Sequence, residues 1–294
     1  MADAGYYELA AAEYRRAIEL DPNNSAAYRF MGSVYEQSGQ LQEALAAYQN
    51  AVRLDPEQYV NHQALGAWYF GRGAYEEAIP HMLRAEELAP KEPELHRVLG
   101  VAYTNVGKFS EAEQEFRLAI SLRETAPTLH ALGVALMYEQ KEQEAVPQFL
   151  RALSLNPNRY LSWMNLAICY RRTNHAAESD AANRKGLAAV EKELAQNPRN
   201  GYVRSVLAYL CARLGDRMRA ESEVAQAVRL SPNDSDTLYL AATTYAALGQ
   251  EDSLLGLLGT APKTVVADFN RWPDVADLKH DPRYKQLLTS RQIQ

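Results

Sequence analysis

The sequence predicts an all-α solenoid, a row of helical hairpins stacked one on the next, and three observations predict it. A phrase recurs: "GYYELAAAEYRRAIELDP" at 5–22, "GQLQEALAAYQNAVRLDP" at 39–56, "GAYEEAIPHMLRAEELAP" at 73–90 and "GDRMRAESEVAQAVRLSP" at 215–232. Pro22, Pro56 and Pro90 stand 34 residues apart, and a fixed period of this order decides architecture before any other signal. Within one period, apolar and small residues fall three and four apart, which puts them on one face of a helix.

The elements follow in order from a 34-residue frame with Pro at position 32. Residues 5–22 occupy positions 15–32, so they form a second helix without its first. This half-unit (1–24) predicts a piece cut from a longer parent with Met1 at the cut; the alternative is a native start with a lone capping helix. Seven units span 25–260: Ser25–Gln58, Tyr59–Glu92, Pro93–Thr125, Ala126–Arg159, Tyr160–Asn200, Gly201–Asp234 and a seventh from Ser235 that fades after Leu258. In the first, Tyr28, Met31, Gly32 and Tyr35 make one face, and Ala44, Tyr48 and Ala51 the other. Gly or Ala at position 8 lets the two helices close together. Glycine at position 15 (Gly39, Gly73, Gly107, Gly215, Gly249) suits a turn of positive φ, and Pro at position 32 ends the unit because it cannot continue a helix.

The third unit is one residue short and the fifth seven residues long. Seven residues are two helical turns, so the buried face keeps its phase and the helix projects. Gly186 in that helix predicts close packing. Pro80 and Pro147, both at position 22, predict slight bends. The tail, 261–294, is not a repeat: Asp281 before Pro282 is a helix start, and Val275, Leu278, Tyr284, Leu287 and Leu288 give it an apolar face for capping the array.

These units resemble the tetratricopeptide repeat over about residues 5–258. The resemblance implies a right-handed superhelix whose extended concave surface binds a partner, lined by positions 2, 5, 6, 9, 12 and 13 of each first helix. Carried onto this chain, those positions give Phe30, Val60, Phe70, Val98, Val101, Val134, Met137, Tyr138, Leu161, Met164, Ile168, Tyr202, Tyr209, Tyr239 and Leu240 as apolar members. His130 and Asn165 join them, with Arg29, Arg97, Arg171, Arg172 and Arg213 set against Glu36, Glu94 and Asp236. Arginine suits bidentate capture of carboxylates, so the implied partner is a protein or peptide with apolar anchors and an acidic flank. The densest cluster is Met164, Asn165, Ile168, Arg171, Arg172, Tyr202 and Tyr209. The basic clamp with which some relatives grip acidic chaperone tails is not matched: Arg29, Ser33, Ala64, Glu94 and Val98 stand at its positions. The tail segments "RWPDVADL" and "DPRYKQLL" resemble the last part of bacterial serine/threonine kinases and adenylate cyclases that carry these repeats. That resemblance implies a regulatory array as the alternative to a free-standing scaffold.

Composition narrows the function further. Net charge is −6 without a dense basic block, which argues against nucleic acid. No run of 18 apolar residues predicts a membrane span. Two cysteines, Cys169 and Cys211, are too few for a disulfide framework or a zinc site, and a reducing, cytoplasmic setting is expected. No phosphate-binding glycine run, kinase signature, HExxH, GxSxG or CxxC is present, so the chain is expected to be neither an enzyme nor a cofactor carrier. His62, His96 and His130, again 34 apart, look like a metal ladder. Stacked helices lie about 8–10 Å apart, whereas zinc holds its ligands at about 2 Å, so these histidines are expected to be structural. The open half-unit also allows end-to-end pairing of two copies.

Overall fold

The computed structural model describes residues 2–272, 275 and 278–293, with side chains from Tyr7 onward. All regular elements among them are helical. The lone α1 is Ala2–Leu20; the hairpins are α2 (Ser25–Gln37) with α3 (Leu41–Leu54), α4 (Tyr59–Phe70) with α5 (Tyr75–Leu88), and α6 (Pro93–Asn105) with α7 (Phe109–Leu122). Then come α8 (Ala126–Tyr138), α9 (Glu142–Leu155), α10 (Tyr160–Arg172), α11 (Ala176–Gln196), α12 (Gly201–Arg213), α13 (Arg217–Leu230), α14 (Ser235–Ala247) and α15 (Glu251–Thr260). The tail supplies α16 (Lys263–Arg271), a 3₁₀ turn at Leu278–His280 and α17 (Pro282–Ser290). Every unit of the 34-residue frame begins on the first residue of a helix. The chain forms two compact units, 1–135 and 136–294, divided within α8.

In unit 1 the hairpins close by a small residue against a large one. A Cβ on Gly32 would lie 2.8 Å from the Tyr48 ring, one on Gly66 2.9 Å from Met82, and one on Gly100 2.7 Å from Phe116. These distances are below any ordinary carbon contact, so position 8 is small because position 24 of the facing helix fills its space. Ala44, Ala51, Ala78, Ala85 and Ala112 are fully buried beside these pairs. Interiors this close-packed respond to single methyl groups.

A second device ties the turn between units to the next helix. The turn between units leaves a proline carbonyl just past the helix end to be satisfied. The position-4 side chain of the next helix does so: His62 Nε2 lies 3.0 Å from the Pro56 carbonyl, and His96 Nε2 2.9 Å from that of Pro90. In unit 2, Trp163 Nε1 donates to Pro157 O at 2.8 Å and Arg204 Nε to Pro198 O at 3.0 Å. Histidine at position 4 is therefore one of several ring or guanidinium donors serving one carbonyl.

Position 15 has positive φ in all seven repeats. Gly39, Gly73, Gly107, Gly215 and Gly249 take φ between +67° and +81°, and Gln140 and Asn174 take +60° and +61° in the repeats without glycine. In unit 2, α11 has 21 residues against 14 for α9 and α13. A Cβ on its Gly186 would sit 3.2 Å from Trp163 and 3.4 Å from Leu210, so the glycine serves packing. Helices α5 and α9 run unbroken through Pro80 and Pro147.

The tail packs on the last hairpin. Val265, Val266, Phe269, Val275 and Tyr284 join Leu238, Ala242, Leu254 and Leu258 in one cluster. Asp281 caps α17 by accepting from the Arg283 amide at 2.7 Å, and Arg283 reaches Asp252 at 2.7 Å and Glu251 at 2.9 Å on α15. Pro273, part of the tail motif, lies outside the described residues.

Candidate functional site

The first-helix positions of unit 2 gather side chains from α8, α10, α12 and α14. Met137, Met164, Ile168 and Tyr209 are buried among the helices, so they shape the surface from below. Tyr202, Tyr239, Asn165, Arg171 and Arg172 are half-buried. Burial raises the Tyr202 and Tyr239 hydroxyls well above the usual tyrosine range, because the phenolate loses its hydration. Arg213 donates to the Tyr209 hydroxyl at 3.2 Å.

A residue from the tail lies on this surface. The ring of Trp272 meets Tyr138 edge-on at 5.7 Å and Tyr239 at 6.4 Å, and the Arg172 guanidinium stands 4.5 Å from the indole centroid. Such rings are favoured partners for guanidinium and for other rings. Arg172 also holds Glu142 at 3.1 Å. One turn earlier in α16, Phe269 packs edge-on to Tyr239 at 6.5 Å. Asp268 is exposed next to it and adds to the upward shift of Tyr138, after burial. The tail, expected to cap the end of the array, also sets Trp272 against Tyr138, Arg172 and Tyr239. The signal was an aromatic pair three residues apart, Phe269 and Trp272, at the end of an amphipathic helix.

The candidates in unit 1 are met by close neighbours. Phe30 stacks on Tyr14 at 5.7 Å and lies under the Arg29 guanidinium at 4.3 Å. Arg97 forms a bidentate pair with Glu94, and hydrogen bonding to Arg97 holds the Glu94 carboxyl below its usual range. Val101, His130 and Val134 are half-buried. Phe30, so paired, is still 44% exposed.

Catalytic chemistry finds little here. Both cysteines are buried and free, and burial pushes the Cys211 thiol up to about 11, away from a reactive thiolate. The one group with metal-ligand spacing among the described residues is Glu86, His96 and Glu115, on frame positions other than the first-helix surface. No described helix is long and apolar enough to cross a membrane.

Comparison with known proteins follows the same geometry. Models described as TPR repeat and tetratricopeptide repeat match residues 2–39, 25–58, 63–127 and 130–185. The chain belongs to the tetratricopeptide repeat family. Among curated relatives, mouse interferon-induced protein with tetratricopeptide repeats 3 is 27% identical over 126 residues, covering 43% of this chain and 30% of that relative's length. Among solved structures, MamA aligns with a TM-score of 0.55 at 20% identity, over 56% of this chain and 97% of its own. A chain of the APC/C hetero-tetramer Cut9–Hcn1 aligns at 0.57 and 17% identity, over 96% of this tetratricopeptide repeat chain and 52% of its own. These likenesses establish the fold.

Proposed function

We propose that this protein is a non-catalytic interaction scaffold that holds a peptide segment of a partner against its first-helix surface. One observation carries the reading: in unit 2 that surface already accommodates an aromatic-bearing segment, with Trp272 between Tyr138, Tyr239 and Arg172. The docked segment has apolar anchors, Phe269 and Trp272, and an acidic neighbour, Asp268. A helix laid in a groove by spaced anchors is a common recognition mode, and a partner of that chemistry competes with residues 263–272 for unit 2. Assembly with another protein is also what Cut9–Hcn1, a structural relative, does.

The test is site-directed photo-crosslinking in the source cell. A crosslinking residue at Phe30, Val101 or Arg171 should label a partner. The same group at Leu118 or Leu150, exposed on second helices, should not. Labelling from the second helices alone would refute the reading. Two finer assignments follow from other features. Leu9 and Leu20 are exposed on α1, which favours end-to-end pairing of copies and predicts a concentration-dependent mass. A place behind a signalling kinase or cyclase domain rests on the tail sequence, and the reading frame upstream of Met1 tests it.

A further inference from the structure

Position 4 of the repeat fixes the orientation of its side chain through the carbonyl of the proline that follows the preceding helix. For His96 this commits Nε2, 2.9 Å from Pro90 O, as the donor. In the neutral ring Nδ1 is then a lone pair. It points at Glu115 Oε2, 2.7 Å away on α7, with Glu86 Oε1 on α5 at 3.9 Å. Three electron-rich atoms from three consecutive helices lie within 4.8 Å of one another. The imidazole is buried, with 3% of its side chain exposed, while Glu86 and Glu115 keep 23% and 14%.

Two carboxylates facing Nδ1 favour positive charge there: a proton on Nδ1 bonds Glu115 at 2.7 Å, and a metal ion bound by all three groups takes that proton's place. The charged groups acting on Glu86 are Glu115, His96 and Glu87; burial and Glu115 raise its carboxyl above the usual range. The neighbouring Tyr103 hydroxyl feels Glu115, Glu111 and Glu86, all acidic. The field at the cluster is negative, and His96 is the one basic group acting on Glu86.

We propose that Glu86, His96 and Glu115 bind one Zn²⁺ ion, which clips α5, α6 and α7 together. Ligand atoms about 2.0–2.2 Å from a tetrahedral zinc are about 3.3–3.5 Å apart, between the shortest and longest separations found here. A metal-bound histidine usually donates its other ring N–H to a carbonyl or carboxylate, fixing the tautomer, and Pro90 O does this for His96. One imidazole with two carboxylates suits zinc and its first-row neighbours, whereas magnesium and calcium favour all-oxygen shells. The exposed edges of the glutamates give the ion entry and leave its fourth position to water.

The set belongs to one repeat and not to the fold. In the preceding repeat His62 makes the same bond to Pro56 O at 3.0 Å. There the residue equivalent to Glu115 is His81, and the one equivalent to Glu86 is Val52. His62 and His96 are therefore both structural through Nε2, and a metal site arises where carboxylates meet Nδ1.

The experiment titrates the full chain, stripped with a chelator, with zinc chloride near neutral pH by calorimetry and follows thermal unfolding in parallel. One zinc per chain is expected, with micromolar or tighter affinity and a rise in Tm, since a ligand that binds only the folded state stabilises it. Glu86→Gln and Glu115→Gln, which keep the side-chain shape, should each weaken binding by about tenfold or more; His81→Gln should leave it unchanged. Absence of zinc binding with the variants folded, or binding that survives Glu115→Gln, overturns the proposal. So does a proton held on both ring nitrogens of His96 in the presence of zinc, read from ¹⁵N shifts.

Discussion

Unit 1 and unit 2 are made of the same hairpin, yet they treat the first-helix surface differently. In unit 1 several rings and cations are met by side chains of the same or the preceding repeat unit: Phe30 by Tyr14 and Arg29, Arg97 by Glu94, Arg72 by Trp68 and Glu36. In unit 2 the rings of Tyr138 and Tyr239 and the guanidinium of Arg172 are met by Trp272, which returns from the end of the chain. Pairs between near repeats leave the surface exposed. A returning segment is held by its own packing and can be lost as a unit. The two units differ at their turns as well. All the position-15 residues of unit 1 are glycine, whereas unit 2 includes Gln140 and Asn174 at positive φ.

The largest expected effect removes what holds the returning segment. Tyr284 is fully buried between Phe269 and the last hairpin. Tyr284→Ala should cost about 3–5 kcal/mol, the range for losing a buried aromatic ring, and should open residues 263–293 to protease while unit 1 stays resistant. Equal loss of protection in both units would mean that they unfold as one body, and the contrast between them would have no energetic content.

Next comes the closest contact in unit 1. Gly100→Val places a branched side chain where even a Cβ would lie 2.7 Å from Phe116. Overpacking of this kind costs about 1–3 kcal/mol, and the loss should appear in hydrogen exchange of α6 and α7. Adding Phe116→Leu should recover part of it, since the two residues share one volume. A full, additive loss in the double variant would show that position 8 is small for another reason.

Trp272→Ala isolates the surface from the core beneath it, because Trp272 is half-exposed whereas Phe269 is buried. The ring contacts and the cation contact together are worth about 1–2 kcal/mol. The change should also rehydrate Tyr239, whose hydroxyl burial holds well above its ordinary range. The phenolate gains most from water, so the direction is downward, and alkaline difference spectra should show a tyrosine ionising at lower pH than in the parent. An unchanged profile would mean that the neighbouring helices alone bury Tyr239.

Most of the architecture was legible because it is periodic. A residue repeated at 34 gave the unit starts, and Gly32, Gly66 and Gly100 gave the helix contacts, since local spacing and packing agree there. The surface was legible only as positions. That Met137, Met164 and Ile168 would be buried depends on how far neighbouring first helices close, which a one-dimensional frame does not contain. The place of Trp272 is not legible, because a non-repeating tail has no frame to set it in. Glu86 and Glu115 carried no signal at all, because the ligand set crosses three helices and its histidine was explained by the repeat.

The smallest expected effect tests the turns. Gln140 sits at φ +60° where five repeats have glycine, and a side chain in that region costs about 1–2 kcal/mol relative to the right-handed form. Glycine removes the strain but adds freedom to the unfolded chain, which gives back about 0.4–1 kcal/mol. Gln140→Gly should therefore stabilise unit 2 by roughly 0.5–1 kcal/mol, and Asn174→Gly by less, since asparagine tolerates this conformation better than glutamine. Urea unfolding read by a probe in unit 2 measures the difference. If Gln140→Gly destabilises, the glutamine side chain makes a contact worth more than its strain, and the turns of unit 2 are not where its stability differs from that of unit 1.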